Sequence, residues 1–552
     1  MASPAHGDEL VLLPLGGAGE IGMNFNAYGF GPPDERKWIV VDCGVLFGRE
    51  TDTPGVDVIM PDIGFLEERA EDVLAIVLTH AHEDHIGAIG HLWPLLQCPM
   101  YATPFTARLM EDKLAEAGLQ DRVKTRVVPL GGKIKLGPFD IEFHSITHSI
   151  PEPNALVIRT PLGTVMHTGD WKLDPDPLIG EATDEAAFRK IGDEGVLAMV
   201  CDSTNALVQG HSGSEGDVKK GLTELIGMLK GKVAVTGFAS NLARLQSVAQ
   251  AAQAHGRKVA LVGRSMHRIT GAARETGYLD DFPSLIGEDE AAQLPDNRVL
   301  YLCTGSQGEP RAALARIARG DHPTVQLGEG DAVIFSSRII PGNDIAIHEL
   351  HNQLSALGVE VLTVEDHFVH VSGHPCREEL SEMYRWVRPQ IAVPVHGELR
   401  HMSEHARLAR SLQVPQAVVV QNGDMLRLAP GRAMVIDEVP AGRVYMDGRV
   451  MTEADAGLTR HRRAMAFAGF IGITLALDGK NRIAGEPSFF FEGVPEDVQE
   501  PVREAVAATV KRHNPKRADE EDLKEQVRRA GRRAANDAWG KKPVTRVEVL
   551  WV

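Results

Sequence analysis

Along the first third of the chain, short apolar runs of strand length recur between glycine turns. They are Leu10–Leu15, Trp38–Val41, Val73–Leu78, Ile141–Phe143, Ala155–Arg159 and Thr164–His167. A helical spacing of apolar residues over Phe105–Ala117 falls between them, and this mixture predicts a layered α/β domain. From Ser214 to Leu229 the period becomes helical. Strand and helix patterns then alternate: Lys232–Thr236, Leu242–His255, Lys258–Val262, Arg298–Cys303 and Ala332–Phe335. That alternation predicts a separate parallel α/β unit. After His367 short strands return with histidines at their ends, as in the first stretch, so one domain is interrupted by another. Beyond Ala464 the pattern predicts strands Phe470–Leu477 and Ser488–Glu492, helices Val498–His513 and Asp519–Trp539, and a last strand Arg546–Val552. The boundaries that follow are residues 9–215, 216–365 for the inserted unit, 366–445 for the return segment, 446–465 as a linker carrying Arg460-His-Arg-Arg463, and 466–552.

Composition narrows this picture. A length of 552 residues suits two to four domains, and 43% hydrophobic residues with 5% aromatics suit aliphatic cores. No apolar run approaches the roughly 20 residues of a membrane span. Met1–Glu9 has no basic, apolar-cored export signal, so a cytoplasmic protein is expected. Cys43, Cys98, Cys201, Cys303 and Cys376 are odd in number and scattered, which fits reduced core thiols and excludes a cysteine-based zinc site. The net charge of −18 argues against diffuse binding of a polyanion, so basic contacts to any nucleic acid must be local or come from bound metal. The run Arg528-Arg-Ala-Gly-Arg-Arg533, interleaved with Glu521, Asp522 and Glu525, reads as a solvated helix face.

Gly17-Ala-Gly-Glu-Ile-Gly22 matches a dinucleotide-binding fingerprint, with Asp42 at the end of a second strand. The segment from Gly22 to Pro32 is too short and glycine-broken for a crossover helix, however. Phe25, Ala27 and Phe30 read instead as the second strand of a hairpin.

The chemistry lies in Thr79-His80-Ala81-His82-Glu83-Asp84-His85-Ile86-Gly87. It follows a buried strand and precedes an apolar helix, Gly87–Leu96. Side chains alternate at a strand end, so His80 and His82 project to one side, while Asp84 and His85 come from the turn into the helix. Four ligands within six residues can thus serve two adjacent metal positions. Imidazole-rich sites suit zinc, which has no redox chemistry of its own, so the site is hydrolytic.

H-x-H-x-D-H resembles the metal motif of metallo-β-lactamase-fold hydrolases, and the remaining motifs follow in order. Asp42 looks like the family's first aspartate, which supports the ligand loops. His148 in Ile-Thr-His-Ser-Ile-Pro and Asp170 in His-Thr-Gly-Asp-Trp-Lys look like its later ligands. Val200-Cys-Asp202-Ser-Thr-Asn, His370-Val-Ser-Gly-His374 and Pro394-Val-His396-Gly-Glu resemble motifs A, B and C of the β-CASP nucleases, where a motif C histidine goes with RNA-processing members. Leu15–Gly22, Phe238-Ala-Ser-Asn, Gly263-Arg-Ser-Met, Thr304-Gly-Ser-Gln-Gly-Glu-Pro and Ser336–Asn343 are similar to stretches of the ribonuclease J family.

That resemblance implies a metallo-β-lactamase αββα sandwich with an inserted β-CASP α/β domain and a small C-terminal α/β domain. It implies two Zn2+ per subunit, with Mn2+ or Mg2+ as substitutes. His80, His82, His148 and Asp170 would hold one, and Asp84, His85, Asp170 and His396 the other. His374 is the expected proton donor, Asp84 orients the nucleophile, and Asp202 fixes a histidine tautomer. His370, Ser372, Gly373, His374, Ser240 and Asn241 are expected to contact substrate phosphate, and Arg264, Arg311 and Arg338 to border an RNA path. The implied activity is 5′-to-3′ exoribonuclease, with endonuclease activity alongside, in mRNA decay and rRNA maturation. The implied partners are RNA, further copies in a homodimer or homotetramer, and an RNA-degradation assembly. A small-molecule hydrolase, a catalytically silent RNA-binding scaffold subunit and a DNA nuclease are the rival readings.

Overall fold

The computed structural model describes residues 7–49, 51–340, 342–515 and 519–552. Residues 1–6 of the segment searched for an export signal, and Pro341 of the Ser336–Asn343 stretch, lie outside these. The chain divides into two compact units, one running to Leu46 and over Met60–Gly442, the other Phe47–Ile59 with Arg443–Val552.

The first unit is built on two facing sheets. One has eight strands, in the order Met434–Glu438, Asp424–Ala429, Glu9–Gly16, Phe25–Gly31, Lys37–Val41, Val73–Val77, Met100–Ala102 and Thr125–Val127. The other has seven: Lys133–Leu136, Phe139–Ser145, Asn154–Thr160, Gly163–His167, Ala198–Asp202, Ile391–Val395 and Gln416–Ala417. Alternating residues of both sheets, among them Leu12, Tyr28, Val41, Phe143, Leu156 and Val200, fill the space between them. The far face of the seven-stranded sheet packs Met166 and Met199 against Phe188, Leu380 and Leu408 of three helices, Glu185–Glu194, Arg377–Val387 and Leu399–Ser411. Phe25–Gly31 runs antiparallel to Glu9–Gly16, pairing Ala27 with Leu13 and Phe30 with Leu10, so the N-terminal glycines join a hairpin.

Residues 216–365 contribute a six-stranded parallel sheet ordered Leu285–Ile286, Lys258–Val262, Val299–Cys303, Val233–Thr236, Ala332–Phe335 and Glu360–Leu362. Parallel strands need buried crossovers, which explains their unbroken apolar sequences. The stretches beginning at Phe238, Gly263, Thr304 and Ser336 all leave the carboxyl ends of these strands. In open α/β sheets that edge, beside the point where strand order reverses, is where ligands bind.

In the second unit, Phe470–Leu477 pairs antiparallel with Ser488–Glu492 and parallel with Val544–Trp551. Helices Glu496–Val510 and Glu520–Trp539 cover one face, burying Ile471, Ile473, Val502, Val506, Leu523 and Val527. Arg528 and Arg529 pair with Glu525 on the second helix. The segment 446–465, expected as a linker, is ordered instead. Arg443–Asp447 and Val450–Glu453 form a hairpin that turns at Gly448 (φ +62°), and Leu458–Ala468 is a helix. Arg460-His-Arg-Arg463 therefore lies on that helix. Its polarity reads as linker, but Arg462 pairs with Asp447 at 2.6 Å and donates to the Pro54 carbonyl. All five cysteines are buried and unpaired, and no described helix is long and apolar enough to cross a membrane.

Phe143 is fully buried between the two large sheets. Phe143→Ala removes a ring that the rigid sheets cannot close over, and is expected to cost about 3–5 kcal/mol. Chemical denaturation followed by circular dichroism checks this; a loss under about 1 kcal/mol contradicts the packing described.

Candidate metal centre

Strand ends supply nearly every group of the site. Asp42 follows Lys37–Val41, His80–His85 follow Val73–Val77, and His148 follows Phe139–Ser145. Asp170 follows Gly163–His167, Asp202 ends Ala198–Asp202, and His396 follows Ile391–Val395. Asp42 and His396 have left-handed backbones, at φ +67° and +51°. Such conformations cost of order 1 kcal/mol or more for non-glycine residues and persist where the surroundings hold them.

The surroundings here are specific. Asp42 is fully buried, and its Oδ1 accepts the Thr79 amide at 2.8 Å. Its Oδ2 lies 2.7 Å from His85 Nδ1, so that nitrogen carries a proton, and His85 Nε2 faces the cluster, 3.1 Å from the Asn24 side-chain nitrogen. The Thr79 hydroxyl donates to Asp42 at 2.9 Å and lies 3.0 Å from His80 Nδ1, which exposes His80 Nε2 in the same way. His148 Nδ1 donates to the Gly373 carbonyl at 2.5 Å, freeing its own Nε2. Gly44 lets the motif pack, since a Cβ there would sit 1.7 Å from the Asp84 carbonyl.

The inward-facing nitrogens converge. His80 Nε2 and His148 Nε2 each lie 3.1 Å from His82 Nδ1. Asp170 Oδ2 lies 3.9 and 3.8 Å from the first two, and 3.2 and 3.3 Å from the Nε2 atoms of His85 and His396. Asp84 Oδ2 stands 3.7 Å from both of these last atoms. Three four-residue groups result, all sharing Asp170: His80, His82, His148, Asp170; Asp84, His85, Asp170, His396; and Asp170, Asp202, His374, His396. Within each, the ligand atoms lie within 4.8 Å of one another.

Burial lowers the proton affinity of His80, His82 (to about 3) and His148, as do neighbouring imidazoles, so these three rings are neutral and suited to coordination. Burial also opposes protonation of His85 and His396, but the surrounding carboxylates, Asp170 first, together outweigh it and raise both. The carboxylates that draw protons to these rings would draw cations equally. Asp170 Oδ1 and His396 Nε2 are buried with no hydrogen-bond partner, a costly arrangement that a bound cation relieves. The seven residues of the first two groups fit divalent metal.

His374 lies beside this cluster, its Nδ1 2.7 Å from Asp202 Oδ2 and 3.8 Å from Asp170 Oδ2. Burial works against its charged form, but Asp202 and then Asp170 pull its pKa up to about 9. Asp202 is positioned in turn by the Thr204 amide and hydroxyl, at 2.8 and 2.7 Å. Ser372 Oγ accepts from Asn205 at 2.8 Å. Gly373 acts first through its carbonyl on His148, and a Cβ there would sit 2.8 Å from the His148 ring.

The remaining predicted residues stand apart from the cluster. Asn241 is a helix cap, accepting the Arg244 amide at 3.0 Å and donating to Glu215 at 3.2 Å, so its side chain is occupied. Ser240 precedes it in the loop, and the Ser240 carbonyl accepts the Leu242 amide at 2.9 Å. His370 Nδ1 accepts from Arg244 at 3.2 Å. The glycine run at the N-terminus wraps motif C: the Gly17 carbonyl accepts the His396 amide at 2.6 Å, and the Gly22 amide lies 3.4 Å from His396 Nδ1. Sequence reasoning missed this use of the glycines. It also missed the buried pairs Lys172–Asp174 and Glu215–Arg244, because charged residues without periodicity give no signal of burial.

Four family models match in chain order: the Metallo-beta-lactamase superfamily over residues 26–190, the Ribonuclease J beta-CASP domain over 230–354, a Zn-dependent metallo-hydrolase RNA specificity domain over 359–418, and the Ribonuclease J C-terminal domain over 457–551. Ribonuclease J of Sinorhizobium meliloti is 48% identical over 99% of this chain and 98% of its own length. The chain belongs to the ribonuclease J family. Other members of the family are 39% identical: those of Corynebacterium glutamicum, over 99% of this chain and 76% of that one, and of Thermus thermophilus, over 86% and 84%. A crystal structure of an Enterococcus faecalis protein of unknown function superimposes with a TM-score of 0.52 at 16% identity, over 76% of this chain and all of that one, which shows the fold alone. The ribonuclease J fold expected from the motifs, a metallo-β-lactamase sandwich carrying an inserted β-CASP domain and a C-terminal domain, is the one observed.

Asp42→Asn keeps the shape but loses the acceptor that fixes His85 and Thr79. It should weaken divalent-metal affinity about 10–100-fold. Competition with a chelator of known affinity measures this, and unchanged affinity contradicts the role given to Asp42.

Proposed function

We propose that this chain is a metal-dependent ribonuclease that degrades RNA from a 5′-monophosphate end, with two zinc ions as its working metals. The observation that carries the reading is Asp170, one buried carboxylate common to two imidazole-rich groups and lying 3.8 Å from His374. Divalent cations held there would supply an activated water and offset the charge that builds on a phosphodiester at its transition state. His80, His82 and His148 would hold one position with Asp170, and Asp84, His85 and His396 the other with it.

The rest of the work falls to side chains. Asp84, about a third exposed, orients the attacking water. His374, kept charged by Asp202, gives its proton to the departing 3′ oxygen as the phosphorus–oxygen bond breaks. The products are a nucleoside 5′-monophosphate and a shortened RNA whose new end again carries a 5′-phosphate, so the reaction can repeat. The loops at the carboxyl edge of the β-CASP sheet, with Ser240, His370, Ser372 and Gly373, form the proposed wall for the 5′ end, bordered by Arg264, Arg311 and Arg338. Cleavage within RNA, service in mRNA decay and rRNA maturation in the cytoplasm, self-association as a dimer or tetramer, and membership of an RNA-degradation assembly belong to the same proposal. Family membership supports them.

The test compares 5′-monophosphate, 5′-triphosphate and 5′-hydroxyl RNAs with a matched DNA. The monophosphate RNA should be converted to mononucleotides, and zinc chelation, His80→Ala or Asp84→Ala should abolish this. Hydrolysis that survives chelation refutes the mechanism; preference for DNA refutes the substrate. His374→Ala should lower kcat by 100-fold or more with metal content unchanged, as removal of a positioned acid does. A kcat within threefold of the parent removes His374 from the mechanism.

A further inference from the structure

The chain leaves the metallo-β-lactamase fold near Glu215 and returns near Val369, and one buried side chain holds both crossings. Arg244, in the first turn of helix Leu242–Ala254, is 2% exposed. Its Nη2 and Nε donate to the two oxygens of Glu215 at 2.8 and 3.1 Å, a planar two-point pairing that only a guanidinium makes. Its Nη1 faces the other way. It approaches the Ser336 carbonyl at 2.9 Å, the Ser336 hydroxyl at 2.7 Å, the Val369 carbonyl at 3.1 Å and His370 Nδ1 at 3.2 Å. The Ser336 hydroxyl in turn donates to the Val369 carbonyl at 2.7 Å.

On its outbound side this network reaches the metal loop. The Glu215 amide donates to Asp174 at 2.9 Å, and Asp174 pairs at 2.7 Å with Lys172, two residues beyond the shared ligand Asp170. On its return side it reaches motif B. Val369 and His370 begin the segment whose Ser372 binds Asn205, whose Gly373 carbonyl orients His148, and whose His374 meets Asp202. An arginine can only donate, so His370 Nδ1 must accept, which fixes its proton on Nε2.

We propose that Arg244 is a positioning residue for the ribonuclease reaction. Its Nη1 sets the register of Val369–His374 above the metal cluster and selects the Nε2–H tautomer of His370, while its pairing with Glu215 anchors it. This rests on the ribonuclease reading above. Stability alone gives a weak reason for such a network, since a buried ion pair is often no more stable than apolar residues of the same volume. Two of the acceptors on Nη1, the Val369 carbonyl and His370 Nδ1, begin the segment that ends at His374, which is what a positioning role requires.

The test separates stability from positioning. Arg244→Lys keeps the charge but offers one nitrogen where the guanidinium uses three. Val248→Ala opens a cavity at a fully buried position of the same helix and leaves the hydrogen bonds of Arg244 in place. Both variants of the full chain are loaded with zinc, their metal content and Tm recorded, and kcat and KM measured on 5′-monophosphate RNA. Arg244→Lys should lose at least tenfold in kcat with full metal content. Val248→Ala, with a comparable fall in Tm, should stay within threefold of the parent. Parental kcat in Arg244→Lys overturns the proposal, and so do equal losses of kcat in the two variants. If Arg244→Lys does not fold, Ser336→Ala replaces it. That variant removes the hydroxyl between Arg244 and Val369 while sparing the ion pair, and a kcat within threefold of the parent overturns the proposal. Failure of the ribonuclease reading looks different: the parent chain itself would show no metal-dependent RNA hydrolysis.

Discussion

A carboxylate buried to 2% exposure, with one oxygen lacking any hydrogen-bond partner, organises the catalytic half of this protein. Burying such a charge costs several kcal/mol unless positive charge or strong donors surround it. Asp170 meets that cost with imidazoles drawn from three separate segments: His396, His85 from the motif loop, and His374. None of these contacts is local in sequence. The fold must therefore be complete before the charge is compensated, and metal binding and folding are coupled through this one group.

The scaffold meets this demand by using strand ends. Loops that leave a packed sheet start from fixed points, so a group placed one to eight residues beyond a strand inherits the rigidity of the core. A second layer of hydrogen bonds then removes the freedom that remains. Asp42 and Thr79 set two of the rings, the Gly373 carbonyl sets a third, and the Gly17 carbonyl pins the left-handed backbone at His396. Asp42, Thr79 and Gly373 each fix one ring nitrogen as a donor, which turns the other toward the cluster. The ligand identity of these histidines is decided as much by their outward partners as by their inward direction.

What the sequence disclosed follows from this arrangement. H-x-H-x-D-H is legible because four ligands share one loop, and His148, Asp170 and His396 became legible because they follow apolar strands in order. The crossing from one domain to the other was also visible, as a change of hydrophobic period near Ser214. Three things were hidden. The glycines at 17–22 carry a fingerprint whose shape suits close backbone approach, but pattern alone cannot say whether a nucleotide or a ligand loop approaches. Asn241 sits in a phosphate-like Ser-Asn turn yet spends its amide on a helix cap and on Glu215. Residues 446–465 are polar enough to read as a tether, and only the Arg462–Asp447 pair reveals the ordered hairpin and helix. Each of these depends on a partner distant in sequence, which periodicity does not encode.

The same contacts bear on the rival readings. A small-molecule hydrolase would need the cluster and a pocket, but no return segment threaded from a second domain across the metal ligands. Here Gly373, which lies in that segment, orients His148, so the chain returning from the inserted domain is built into the site. A silent scaffold would have no reason to keep a partnerless buried carboxylate oxygen beside a partnerless imidazole nitrogen, since substitution of either residue would remove the cost. The chain's charge of −18 presses in the same direction. A polyanion approaching so acidic a protein is drawn to the place where positive charge is concentrated, and His374 with the ions that Asp170 and Asp84 would hold makes that place the reaction centre itself.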